Sequence, residues 1–120
     1  MFWFVSLGPI RLVNGPAANE GRVEVWYNGG WGTICDDGWD TNDANVACHQ
    51  LGYPYATNAY SQAYHGAGTG SIILDELGCV GSELILGSCA HNGWGSHDCS
   101  HSEDASLKCY QSKYRLCVCV

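Results

Sequence analysis

The chain has 120 residues, enough for one hydrophobic core and too few for two independent ones. Eight cysteines and sixteen glycines among few charged residues indicate a disulfide scaffold made in an oxidising compartment; a cytosolic chain of this composition would need a metal cluster instead. A formal charge of -7, from twelve Asp and Glu against five Lys and Arg, excludes direct basic contacts to nucleic acid, so a polyanionic ligand would have to be bridged by a bound cation.

Residues 1–9 read as an N-terminal tail. Met1-Phe2-Trp3-Phe4-Val5-Ser6-Leu7 is apolar but lacks a positive start and is shorter than a signal-peptide core, so it reads as a signal remnant or as the lead-in to a first strand. The folded body is expected over 10–110. Arg22-Val23-Glu24-Val25-Trp26 alternates polar and apolar residues, Asn28-Gly29-Gly30 tolerates positive φ, and Trp31-Gly32-Thr33-Ile34-Cys35 resumes an extended pattern, which predicts a β-hairpin. Thr41 is placed to cap a helix whose apolar positions Ala44, Ala47, Cys48 and Leu51 follow helical spacing, with Asp43 in the first turn and Gly52 and Pro54 as the stop. Ser71-Ile72-Ile73-Leu74 and Ala105-Ser106-Leu107-Lys108-Cys109 are further strands, and Glu83-Leu84-Ile85-Leu86 is a short helical turn ended by Gly87. Loops rich in Gly, His and Asn separate them, there are no internal repeats, and no Asn-x-Ser/Thr sequon occurs. Residues 111–120 are a second tail, whose apolar end Leu116-Cys117-Val118-Cys119-Val120 is too short to cross a bilayer; no membrane span is read in the chain. The expected fold class is α+β: a small curved β-sheet cradling one α-helix, with long loops held by disulfides.

Chemistry concentrates in the run Trp31-Gly32-Thr33-Ile34-Cys35-Asp36-Asp37-Gly38-Trp39-Asp40. Adjacent acids repel unless something cationic answers them, and a chain this poor in Lys and Arg makes a metal ion or a cationic partner the natural counterion. His91, His97, Cys99 and His101 offer a zinc reading, but their spacing matches no common structural zinc pattern. Ser96-His97-Asp98 has the residue types of a catalytic triad, whose members meet through space rather than as sequence neighbours. Without a nucleophile elbow, a phosphate loop or a His-Glu-x-x-His motif, the chain is not read as an enzyme. Of the aromatics, Trp31 and some tyrosines are expected to fill the core. Trp94, in Asn92-Gly93-Trp94-Gly95, is expected to be partly exposed and is the ligand-contact candidate.

Five motifs in this order resemble those of the scavenger receptor cysteine-rich (SRCR) domain: Gly21-Arg22-Val23-Glu24-Val25, Trp31 to Trp39, Ala44-Asn45-Val46-Ala47-Cys48-His49-Gln50-Leu51-Gly52, Leu74-Asp75-Glu76-Leu77-Gly78-Cys79 and His101-Ser102-Glu103-Asp104-Ala105. The resemblance implies the disulfides Cys35–Cys99, Cys48–Cys109 and Cys79–Cys89, one arrangement of the fifteen open to six cysteines. Where some members carry a further cysteine pair this chain has Glu20 and Tyr53, so it resembles the six-cysteine subgroup. Cys117 and Cys119 lie outside the pattern and are poorly spaced to bridge to each other. The resemblance also implies one or two Ca2+ or Mg2+ ions, the first on Asp36, Asp37 and Glu103, the second on Asp37, Asp75 and Asp98.

The function expected from this resemblance is a secreted or cell-surface module of scavenger or pattern-recognition type. Its cation would meet anionic groups on protein, glycan or microbial ligands, and the domain would be one of several or part of an oligomer. The alternative is a structural or ancillary interaction domain whose acids form a solvated face.

Overall fold

The computed structural model describes residues 9–111; the readings of the N-terminal apolar segment and of Cys117 and Cys119 lie outside the described residues. Six strands form one curled sheet: β1 (Ile10–Val13), β2 (Glu20–Tyr27), β3 (Gly30–Ile34), β4 (Ala56–Tyr60), β5 (Ile72–Leu74) and β6 (Ser106–Cys109). Their order is β4-β6-β2-β3-β5, with β1 also on β2, and one helix, α1 (Thr41–Gln50), lies against them. This is the expected α+β architecture.

The hairpin of β2 and β3 follows from its turn. Asn28 (φ 55) and Gly29 (φ 90) take the left-handed conformations that a two-residue hairpin turn requires, and the register pairs Trp26 with Trp31 and Tyr27 with Gly30. Alternation then points Val23 and Val25 inward, where they meet Ile34, Leu74 and Leu107 and the helix residues Ala44, Val46 and Ala47.

Three local expectations change. The helix N-cap is Asp40, not Thr41: the Asp40 side chain accepts from the Asp43 N–H at 3.1 Å and Asp43 accepts from the Asp40 N–H at 2.8 Å, so two end donors are satisfied reciprocally. The turn expected at Glu83–Leu86 appears instead as a 3-10 turn at Leu86–Ser88, because the Glu83 carboxylate is occupied by the Val80 and Gly81 N–H groups. Trp31 is half-buried rather than in the core. The register sets it beside Trp26 on the outer face, with the Arg11 guanidinium 4.1 Å above its ring. Trp39 packs against the core in its place, its indole N–H donating to the Ser106 carbonyl at 3.0 Å.

Three disulfides close the structure: Cys35–Cys99, Cys48–Cys109 and Cys79–Cys89. The second fastens α1 to β6, and the third closes the loop that precedes the last segment of irregular chain.

Candidate metal centre

The acidic run begins where β3 ends, and the sheet fixes its position before any side chain is considered. β3 and β5 are parallel, with Thr33 opposite Ile72 and Ile34 opposite Leu74, so both chains leave the sheet at the same end. Asp75 follows Leu74 directly; Asp36 and Asp37 follow Ile34 after one residue. The Cys35 N–H donates to the Leu74 carbonyl at 2.8 Å, which clamps the two exits together.

The third side of the site comes from the C-terminal loop. The Asp36 N–H donates to the Glu103 carbonyl at 2.8 Å, and the Cys35–Cys99 bridge, between residues 64 apart in sequence, carries Asp98 to the same place. Glu103 closes the 3-10 turn His101–Glu103, where its carboxylate accepts from the Ser100 N–H at 3.1 Å. His101 pins that turn from beneath. Its Nε2 lies 2.9 Å from the Gly70 carbonyl and its Nδ1 3.0 Å from buried Asp104. Desolvation pulls the imidazole pKa down, but the bonds to Gly70 and Asp104 outweigh it and the net direction is up.

Carboxylates therefore ring a disulfide. Asp37 Oδ2 and Asp98 Oδ1 each lie 3.7 Å from Cys99 Sγ, and Glu103 Oε1 lies 4.0 Å from Cys35 Sγ. An oxygen of Asp37 and one of Asp75 are within 4.8 Å of each other and of both sulfurs. Sulfurs joined in a disulfide offer no thiolate, which leaves the carboxylate oxygens as the donors, the ligand type that hard cations take.

The electrostatics agree with that geometry. The Asp37 pKa is raised, first by desolvation and then by the negative charges of Asp75, Glu103, Asp98 and Glu76. Among the described residues the ion pairs are Arg11–Glu24, Arg22–Glu24, His65–Glu20 and His101–Asp104, and none of them reaches this cluster.

Of the five expected ligands, Asp37, Asp75, Asp98 and Glu103 gather around the bridge. Asp36 is turned aside, its Oδ2 accepting from the Gln62 N–H at 2.7 Å. Glu76 escaped the sequence reading although it is one of the charges acting on Asp37; the signal was its place beside Asp75 in a second pair of adjacent acids. Among the described residues the groupings able to hold a metal contain no histidine. Cys99 is in a disulfide, His91 Nδ1 accepts from the Gly93 N–H at 2.9 Å and His97 Nδ1 from the Cys99 N–H at 3.0 Å. The bond from Cys99 makes His97 Nδ1 an acceptor, whereas in a Ser-His-Asp triad that nitrogen donates to the carboxylate.

Trp94 is half-buried and its ring stacks on that of Tyr27, with centroids 4.5 Å apart and planes at 11°. Tyr27, at the hairpin turn, went unremarked in the sequence; only the fold brings it to Trp94.

The scavenger receptor cysteine-rich domain profile matches residues 13–110. A scavenger receptor cysteine-rich domain superfamily protein of Patiria pectinifera is 51% identical over 111 residues, covering 92% of this chain and 10% of that protein. The chain thus spans about a tenth of the length of this relative. The third SRCR domain of murine neurotrypsin superposes with a TM-score of 0.80 at 50% identity, covering 88% of this chain and 99% of that one. The SRCR domain of mouse MARCO, in its dimeric form, gives 0.72 at 51% identity over 77% of this chain and 87% of that one. Domains of this kind are ligand-binding modules and are typically extracellular. Profile, relatives, sheet and three disulfides agree, and the chain belongs to the scavenger receptor cysteine-rich family, with the six-cysteine arrangement.

Proposed function

We propose that this domain is an extracellular binding module in which one or two divalent cations, Ca2+ or Mg2+, connect Asp36, Asp37, Asp75, Asp98 and Glu103 to anionic groups on protein, glycan or microbial ligands. The observation that carries this reading is the convergence of Asp37, Asp75, Asp98 and Glu103 on the Cys35–Cys99 bridge with no cationic side chain from the described residues to answer them. Divalent ions favour several oxygen ligands, and an ion only partly enclosed by protein keeps positions for the carboxylate or sulfate of a ligand. Asp36 would join through the oxygen that Gln62 leaves free. A net charge of -7 makes the ion the part of the surface an anion can approach.

Extracellular Ca2+ modules bind with constants of about 0.1 to 1 mM, and a single weak site gains from repetition. Membership of a tandem array or an oligomer suits that arithmetic. It is also favoured by the small share of the Patiria relative that this chain spans and by the dimeric form of the MARCO domain.

Calorimetric titration with Ca2+ tests the reading: the wild-type domain should give heat saturating in that range, and an Asp37→Asn, Asp75→Asn variant should lose it. Equal heats from both proteins would refute the cation site. A second reading, an ancillary interaction domain without a working ion, is favoured by the Asp36–Gln62 bond, which makes Asp36 an anchor for the loop after β4. Chelator separates the two: it should abolish capture of a polyanion such as dextran sulfate under the first and leave binding of any partner unchanged under the second.

A further inference from the structure

Strand β4 is an open edge of the sheet: among the described residues its only strand partner is β6. β5, at the other end, is covered, since the Gly95 N–H donates to the Ile73 carbonyl at 2.7 Å, and β1 carries the exposed cation Arg11. Which groups β4 leaves free follows from β6. The Cys109 N–H donates to the Asn19 carbonyl and the Ala105 carbonyl accepts from the Val23 N–H. Ala105, Leu107 and Cys109 therefore turn their backbone groups to β2, while Ser106 and Lys108 turn theirs to β4. Their register partners Tyr60 and Asn58 are engaged in this way, and Ala59 between them points its N–H and carbonyl out of the sheet edge.

The surroundings of that edge differ from the rest of the surface. From Ala44 to Leu74 the chain has no Asp, Glu, Lys or Arg, although its net charge is -7. Lys108 of β6 and Glu20 of β2 are register partners beside this strand, and Glu20 Oε2 lies 2.8 Å from His65 Nε2, so the face is close to neutral. Just before β4, Tyr55 stacks on Tyr110 with ring centroids 4.8 Å apart; just past its other end, Tyr64 stacks on Tyr60 at 4.3 Å. Tyr64 keeps 64% of its surface exposed and Tyr55 45%, so aromatic rings already held in place by stacking stand open to solvent on both sides of Ala59.

We propose that two copies of this chain meet at the β4 edge, pairing antiparallel about a two-fold axis at Ala59 so that each Tyr55–Tyr110 stack lies against the other copy's Tyr60–Tyr64 stack. The occupant is a second copy for two reasons. Pairing at Ala59 is self-complementary: each Ala59 N–H donates to the other's carbonyl, and the reversed strand direction brings the unlike tyrosine pairs together. Copies of an acidic chain also repel each other least over an uncharged stretch, and this one is the longest in the sequence. The shortness of β4 and the register shift between Ala56 and Asn58 limit the ladder, so the contact is weak and gains from domains held close together. It does not depend on the cation reading.

Sedimentation equilibrium of the full chain tests this, over about 10 µM to about 1 mM protein at about 0.15 M salt, with Ca2+ and with chelator. The mass should rise from 13.0 kDa toward twice that value in both conditions. Ala59→Pro deletes the outward N–H, and Tyr64→Glu, at an exposed ring, puts an acid where ring should meet ring. Each should weaken association about tenfold or more while keeping the wild-type circular dichroism spectrum. Leu84→Glu, at an apolar side chain 85% exposed in the loop closed by Cys79–Cys89, should associate like wild type. A monomer throughout the range would overturn the proposal. Association that survives in Tyr64→Glu, whether through Cys117 and Cys119 or another surface, would overturn it as well. Association lost with chelator would move the contact to the acids around the Cys35–Cys99 bridge, and association lost equally in Leu84→Glu would make it general apolar adhesion; either result overturns the β4 edge.

Discussion

Asp43 and Asp37 both hold their protons more tightly than a free carboxyl, and their surroundings show why the consequences differ. Asp43 is fully buried at the start of α1; burial lifts its pKa from 3.8 to about 6, against the lowering effect of the Cys79 and Asp40 N–H groups that donate to it. A carboxyl whose folded pKa is raised binds more protons folded than unfolded, so its contribution to stability falls as pH rises from about 4 to about 6 and is level above that. The side chain still matters at neutral pH, because it is the acceptor for two backbone donors. Asp43→Ala is expected to cost about 2 to 4 kcal/mol in urea unfolding at pH 7 and to flatten the slope between pH 4 and 6. The sequence showed an acid in a first helical turn; that it is buried and bonded to Cys79, 36 residues on, is a tertiary fact. Asp37, by contrast, is raised first by desolvation and then by the acids around it, and a cation held at the proposed site would displace its proton.

The decisive element is the parallel pair β3–β5. Gly32 makes it possible: a Cβ there would stand 2.4 Å from Ile73 Cγ1 and 2.7 Å from the Ser71 carbonyl oxygen. Gly32→Val should push β5 away, lowering stability by about 1 to 3 kcal/mol. Because Asp75 directly follows β5, Ca2+ affinity should fall in the same variant, and calorimetry showing lost stability with intact affinity would separate strand position from the proposed site. The hairpin and helix were legible because each is set by near neighbours: a turn that tolerates positive φ, and apolar spacing between a cap and a stop. β1 and β4 were not. Ala56-Thr57-Asn58-Ala59-Tyr60 has little strand alternation of its own and becomes a strand by pairing with β6 across a register shift.

On the scale of the molecule, two disulfides close loops between residues 64 and 61 apart, each removing unfolded-state entropy worth about 4 kcal/mol in the simplest chain model. The frame should hold without an ion, so a cation at the proposed site should add stability rather than create the fold. At about 10 mM Ca2+ and pH 7 the gain should be about 1 to 3 kcal/mol, seen as a higher melting temperature. It should shrink on acidification, and begin to do so above the ordinary carboxylate range, because Asp37 takes up a proton earlier than a free aspartate. A calcium-induced shift that is the same at pH 7 and pH 4 would contradict carboxylate ligation.

The sequence by itself determined the disulfide-rich character, the hairpin, the helix and the acidic run, since composition and neighbour spacing act locally along the chain. Its resemblance to a family supplied the expected ligand set and disulfide pairing. Only the tertiary structure decided which acids converge. A parallel pairing between β3 and β5 brings Asp37 and Asp75 together beside a bridge over 64 residues, which also carries Asp98 and Glu103 to its sulfurs, while the Gln62 backbone N–H draws Asp36 aside. The stacking of Tyr27 on Trp94 is a tertiary fact for the same reason: the two lie far apart in sequence and meet only where the hairpin turn and the loop holding Trp94 are packed side by side.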